Sequence, residues 1–302
     1  MKNALNYYYG IKADDIHQVN NTYKFNIYGQ DYALVIYDRD IKDIDELYKI
    51  STYFFSRGIY CHQIIPNNDN NLITYINQIP YILLQIYIKE NKIITEDDIK
   101  LFTNYASLTN YSELLRRDNW KQLWINKIDY FEYQVSQFGK KYPLIRESFS
   151  YYCGFVETGI SLINTTNLEY SRLVVGHKRL KATDTLFDLY NPLNFIIDLP
   201  IRDISEYYKD LIIEDNSIID KIKNYILTYN LSTNEILMFF IRMLYPSFYF
   251  DLYEDIIEND KDDSSLLDII NSNKKYEKVI KELYIFLNNY IVMPDIEWIK
   301  KM

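Results

Sequence analysis

The sequence predicts an α+β fold in two parts, a small β-rich N-terminal lobe over residues 1–88 with one helix and a large, mostly helical C-terminal lobe over 89–302. Three observations predict it. Short β-branched and aromatic runs broken by turn residues fill the N-terminal part, and apolar residues recur at helical spacing from Thr95 onward. One strand-loop-strand insert, near residues 171–200, interrupts the helical part.

In the N-terminal lobe, residues 16–19, 22–28 and 31–37 read as three strands joined by tight turns at Asn20-Asn21 and Gly29-Gln30, because branched and aromatic side chains fit a pleated surface. A helix over 41–57 follows, with Ile44, Leu47, Tyr48, Ile50, Phe54 and Phe55 on one face and Gly58 as its stop. Residues 72–76 and 81–87 give two more strands and the order β-β-β-α-β-β. Thr95 with Asp98, and Ser232 with Glu235, have the spacing of a capping box, opening helices that run to Leu108 and Leu244. Residues 114–138, 147–163, 203–213, 218–229 and 276–290 repeat the helical spacing, and Trp120, Trp124, Ile128 and Phe131 mark one buried face. Residues 245–253, which contain Pro246, are expected to form a loop or short helix, 258–265 a solvated loop, and Trp298 an anchor for the C-terminal segment. In the insert, 173–175 and 193–197 read as short strands around the polar run 177–184.

Composition narrows the function. The 302 residues carry 33 Lys+Arg against 42 Asp+Glu, a formal charge of −9. That argues against a nucleic-acid binder, which needs surplus cations on some face. Two cysteines, Cys61 and Cys153, are too few for a disulfide framework or a cysteine-rich zinc site and fit a reducing, cytoplasmic setting. The seven glycines, at 10, 29, 58, 139, 154, 159 and 176, cannot be written as a Gly-rich phosphate loop. Residues 1–10 lack the pattern of a signal peptide, and the most apolar stretches, 79–88 and 236–250, are too short for a membrane span or carry Arg242. The excess of 32 Tyr and 45 Ile over five Ala follows A/T-rich codon usage, although Tyr also supplies rigid contact area to a protein partner.

The element order, the string Asn-Asn-Thr-Tyr-Lys-Phe before the second strand, and the insert with His177, Tyr190-Asn-Pro-Leu-Asn-Phe-Ile-Ile-Asp and Arg202-Asp-Ile-Ser-Glu-Tyr resemble the aminoglycoside phosphotransferase and choline-kinase-like branch of the protein-kinase-like superfamily. More narrowly, the chain is similar to kinase-like spore-coat-associated proteins. The resemblance implies a two-lobed kinase-like fold and a test of phosphoryl-transfer chemistry residue by residue: a cation on the nucleotide phosphates, ligands for Mg²⁺, and a carboxylate that accepts the acceptor's proton.

In the family the phosphate lysine lies in the third strand, where this sequence has Val35, and its partner on the next helix would be Glu46. The family's His-Gly-Asp becomes His177-Lys178-Arg179, and a guanidinium cannot act as a general base. Asp184 and Asp188 fall off the family spacing. Asn191 and Asn194 are candidates for the metal-binding amide, although Asn-Pro is first a turn signal. Asp198 ends the second insert strand where the metal-binding Asp stands, and Asp203 opens the next helix, where it can serve as an N-cap. A lone carboxylate holds Mg²⁺ poorly.

Arg172, His177, Lys178, Arg179 and Lys181 also concentrate cations in an acidic chain. They suggest anion binding at Lys178, Arg179 and Lys181, or else a solvated loop balanced by nearby acids. His17 and His62 have no metal-ligand spacing.

The expected function is therefore a catalytically inactive, pseudokinase-type binding or structural protein, spore-coat-associated if the host sporulates. No cofactor and no confident catalytic residue are expected, and the partner would be a protein or a small phosphorylated ligand. The alternatives are an active small-molecule phosphotransferase using ATP and Mg²⁺ through Asp198 and Asn194, and a sensor of phosphorylated ligands.

Overall fold

The computed structural model describes residues 1–19, 21–89, 91–108, 112–166 and 172–302. Asn20 of the expected first turn and Ser171 at the start of the insert lie outside them. The chain divides into two compact units. The first holds residues 1–116, 174–178 and 183–197, and the second holds 117–173, 179–182 and 198–302. The sheet-bearing unit thus runs past residue 88 and takes in most of the insert.

The first unit is built on an antiparallel sheet of β1 (Ile16–Val19), β2 (Thr22–Ile27), β3 (Gln30–Ile36), β4 (Gln63–Ile65), β5 (Thr74–Ile76) and β6 (Ile79–Ile86), in the order β1-β2-β3-β6-β4 with β5 on β6. Two-residue turns join β2 to β3 and β5 to β6. Tyr28 and Gly29 have φ of 50° and 86°, and Asn77 and Gln78 have 50° and 68°, the paired positive values whose twist matches flanking strands.

Two elements here are absent from the expected order. Helix α1 (Lys2–Tyr9) buries only Leu5 and carries no periodic stripe. It is fixed by tertiary ties: Leu5 packs with Phe25, Leu34, Tyr81 and Leu83 on one sheet face, Asn68 donates its N–H to Tyr8, and Tyr9 shares a hydrogen bond with Thr74. The three residues of β4 are too few to show alternation.

Helix α2 (Ile44–Ser56) buries Ile44, Leu47, Ile50 and Phe54 of the expected face, while Tyr48 and Phe55 at its margins are half-buried. Helix α3 (Glu96–Tyr105) starts at Thr95 with the expected capping box. The insert supplies β7 (Val174–His177), the short helix α6 (Leu186–Leu189) and β8 (Phe195–Asp198). A buried Arg39 ties it to the sheet: the guanidinium pairs with Asp43 at 2.9 Å and donates to the carbonyls of Leu193 and Phe195. Phe54, Phe102, His177 and Phe195 close the core between α2, α3 and the insert, with ring centroids 4.9–6.2 Å apart.

In the second unit, α4 (Trp120–Phe138), α5 (Pro143–Ile163), α7 (Arg202–Leu211), α8 (Ile218–Thr228), α9 (Thr233–Leu244), α10 (Ser247–Glu258), α11 (Leu266–Asn271), α12 (Asn273–Leu287) and α13 (Glu297–Lys301) form a helical body. Gly159 lets α4 and α5 approach, since a Cβ there would lie 3.1 Å from Trp124. Trp120 and Trp124 stack at 5.7 Å in the core. Residues 247–258 form a full helix with Pro246 just before its first turn, where a missing N–H costs nothing. The polar run near 258–265 is only partly solvated, because Asp263 is buried and accepts from the N–H of Leu144 at the start of α5. The ring of Trp298 meets Phe155 edge-on at 5.0 Å.

Candidate functional site

The first unit carries a cleft of about 750 Å³ on the face of β1–β3 opposite α1. Strand alternation builds it. Tyr23 and Phe25 turn toward α1, so Lys24 between them turns into the cleft, in a cross-strand row with His17 of β1 and Ala33 of β3. The next row holds Asn26, Asp31 and Ile86. Phe187 of α6 lines the cleft, and the Lys24 ammonium sits 5.4 Å from its ring centroid. Lys89 pairs with Asp31 at 2.8 Å at one edge, and Lys12, Asp14, Asp15 and Asn91 add to the polar lining. Val35, at the position of the family lysine, is not among the lining residues.

His62 holds Phe187 in place. Its Nδ1 accepts the Tyr87 N–H at 3.3 Å, which leaves the proton on Nε2 to be donated to the Phe187 carbonyl at 3.1 Å, and the two rings lie 4.5 Å apart. Burial lowers its pKa to about 4, with the hydrogen bond to Phe187 and the charge of Asp188 opposing, so the ring is neutral at pH 7.

The degenerate loop falls partly in this unit. His177 is buried, with Nε2 at 2.8 Å from the Leu189 carbonyl and its ring between Phe102 and Phe195; it is a packing residue. Lys178 is exposed and donates its backbone N–H to the Asn194 carbonyl at 2.7 Å. The side-chain nitrogen of Asn194 donates to the Asp188 carbonyl, and Asn191 accepts from Leu193. Asp188 closes a capping box with Thr185, and the Asp184 carbonyl accepts from Ile94. Glu46 pairs with Lys49 at 2.7 Å, one helical turn away.

The remaining candidates lie in the second unit, on different partners. Arg179 is paired with Glu254 at 2.9 Å and Asp251 at 3.3 Å, both on α10, and Lys127 shares Glu254 at 3.0 Å. Beside the exposed Lys181, the Asp210 carboxyl is pushed up to about 6 by burial, while it accepts the Ala182 N–H at 2.9 Å.

Asp198 is fully buried. Its two oxygens accept the Trp120 indole N–H at 2.9 and 3.1 Å, one takes the Leu199 N–H at 2.7 Å, and the other pairs with Arg202 at 2.6 Å. Burial nevertheless leaves the carboxyl above its usual range, the charges of Arg202 and Arg242 pulling it down. Asp203 is buried in the first turn of α7, whose cap position is Ile201, so it does not serve as the N-cap.

These residues do not fit a divalent cation. Both oxygens of Asp198 are already engaged by an N–H or a guanidinium, and no group of three or more His, Cys, Asp or Glu among the described residues is arranged to hold a metal ion.

The fold is shared with solved phosphotransferases. A spectinomycin phosphotransferase, APH(9)-Ia, in complex with ADP and spectinomycin matches with a TM-score of 0.60 at 12% identity, covering 94% of this chain and 97% of that one. An aminoglycoside phosphotransferase from Alicyclobacillus acidocaldarius matches at 0.64 and 10% identity, covering 93% and 94%. A microcompartment-associated aminopropanol kinase matches at 0.54 and 10%, covering 94% and 96%. No curated protein matches the sequence. The sheet-bearing unit, the helical body and these likenesses define a protein-kinase-like fold of the aminoglycoside phosphotransferase and choline-kinase-like branch. Within it, the chain belongs to the family described as "Spore coat putative kinase YutH", which it matches over residues 2–283.

Sequence reasoning missed Lys24, Ala33, His62 and Phe187 as site residues. A signal for Lys24 was present: alternation in Tyr23-Lys24-Phe25 sets the lysine opposite two aromatics. Nothing local marks Phe187, which reaches the cleft only through the pairing of the insert with the first unit.

Proposed function

We propose that this protein is a kinase-like binding component of the spore coat that does not transfer phosphoryl groups. One observation carries the reading: Arg179, which the resemblance sets at the place of the family's proton-accepting Asp, is held by Asp251 and Glu254. A group that is permanently protonated and doubly paired cannot take a proton from an acceptor hydroxyl. Asp198, whose oxygens are engaged by Trp120, Leu199 and Arg202, supports the same reading. The family's description as a spore coat putative kinase supports the location.

The test is a phosphoryl-transfer assay with ATP and Mg²⁺ over amino alcohols and aminoglycosides, following ADP release and acceptor phosphorylation. The expected result is no turnover above the protein-free rate. Turnover that disappears in Asp198→Asn, with that variant still folded, overturns the reading and assigns an active phosphotransferase.

A further inference from the structure

We propose that a second groove of the first unit, between α3 and the turn that ends α2, binds a small carboxylic acid carrying one aromatic ring. Arg57 would take the carboxylate, and Ile59, Leu101 and Tyr105 the ring. The site is separate from the cleft lined by Lys24, and the proposal does not depend on whether phosphoryl groups are transferred.

Local structure builds the groove. Gly58, at φ 81°, stops α2 in a left-handed turn that returns the Ile59 N–H to the Phe54 carbonyl at 3.0 Å. Arg57, Ile59 and Tyr60 are thereby set beside Ile88, just past β6, and Tyr190, just past α6. On α3 the core takes Ile99, Phe102 and Thr103, so Leu101 and Tyr105, four apart, form an outward ridge that supplies another wall. Two of the rings are held by neighbours. Tyr60 packs on Phe55 at 5.6 Å, and Tyr190 meets the buried Phe102 edge-on at 5.6 Å while its carbonyl accepts the His62 N–H. The groove holds about 370 Å³, the small end of ligand sites and enough for one ring with a short chain.

The chemistry of the lining selects the ligand. Among the described lining residues none is Asp or Glu, and Arg57 alone is charged. Its Nε and Nη2 both donate to one neutral acceptor, the Tyr53 hydroxyl, at 3.2 and 2.9 Å, and it forms no ion pair among the described residues. The Nη1–Nη2 edge of the guanidinium is therefore left for a carboxylate, which such a fork takes with two parallel hydrogen bonds. The hydroxyl of the half-buried Tyr190 makes no hydrogen bond among the described residues and adds a donor. Against these stand Tyr60, Leu101 and Tyr105, each about half exposed, whose apolar surface gains by being covered. One cation matches one negative charge, and the walls need an apolar body. An aromatic carboxylate meets both demands, whereas an uncharged ring leaves the guanidinium without its anion.

The test is saturation-transfer NMR of the full chain with hydrocinnamate, and with phenethyl alcohol as the uncharged control. Transfer to the ring protons of hydrocinnamate is expected, with a dissociation constant raised about tenfold in Arg57→Gln. Binding should be lost in Leu101→Asp, which puts a like charge in the wall, and unchanged in Lys24→Gln. Arg57 and Leu101 are exposed, so both unliganded variants should melt with the wild type. No transfer, equal binding of phenethyl alcohol, or binding indifferent to Arg57→Gln overturns the proposal. Tighter binding of the peptide acetyl-Gly-Gly-Phe than of hydrocinnamate overturns the small-molecule assignment and makes the groove a site for a peptide end. Turnover in the phosphoryl-transfer assay would defeat the non-catalytic reading and leave this groove untouched.

Discussion

In the second unit, Asp198 and the charged side chains around it are engaged with one another, while in the first unit the cleft is lined by Lys12 and Lys24, which form no ion pair among the described residues. Arg242 lies at 2.6 Å from Glu206, Lys209 at 2.9 Å from the same oxygen and donates to the Tyr245 carbonyl, Ser247 donates to Glu206, and the Arg242 guanidinium lies over the rings of Trp120 and Tyr245. Coulombic support from Arg242, Lys209 and Arg202 outweighs burial and holds Glu206 well below the usual carboxylate range. Lys209 is lowered to about 8 by burial, against the attraction of Glu206. The contrast teaches that an acidic residue at a family's metal position is informative only with its partners in view. A carboxylate that already accepts an indole N–H, a backbone N–H and a guanidinium stabilises the fold, whereas the exposed Lys24 makes a single ring contact, with Phe187.

The contrast breaks most directly at Asp198. Asp198→Ala leaves the Trp120 N–H and Arg202 without their acceptor, and removing one partner of a buried pair costs about 3–5 kcal/mol. Urea unfolding should show a loss of that size; a loss under about 1 kcal/mol would mean the carboxylate is not structural.

His62 gives the next effect, through pH. The unfolded histidine takes up its proton near pH 6.5 and the folded one only near pH 4. Its contribution is therefore fully present above about pH 6.5 and lost as pH falls toward 4, an amount of about 3 kcal/mol. Stability measured against pH should lose that part of its slope in His62→Gln, and an unchanged slope would remove His62 as the group responsible.

Trp120→Phe keeps the ring but deletes both indole hydrogen bonds to Asp198, so about 1–3 kcal/mol should go, visible as a lower urea midpoint at unchanged m-value. Arg179→Ala should cost least, below about 1 kcal/mol, because its pairs are half exposed and screened. A larger loss on denaturant unfolding would place Arg179 with the buried network and erase the distinction between the two kinds of charge.

Much of the fold was legible because burial is written as periodicity. The apolar face of α2, the capping boxes at Thr95 and Ser232, the Trp120–Phe131 face and the strands β1–β3 follow from spacing within a few residues. α1 and β4 were not legible, since α1 buries a single residue, β4 has only three, and both are held by distant residues. Asp203 read as a cap because Asp ahead of a helix usually is one, but the helix begins one residue before it.

For the site, the resemblance legible in the sequence points to Val35, without charge, and Arg179, which cannot serve as a base, at the motif positions. It could not determine what those positions face. That Arg179 meets Asp251 and Glu254, that Asp198 receives the Trp120 N–H from 78 residues away, and that Lys24 meets Phe187 across a cleft were decided only by tertiary structure. The physical reason is that local spacing fixes the direction of a side chain within its own helix or strand, whereas its protonation, pairing and access to a ligand depend on groups brought near by the folding of the whole chain.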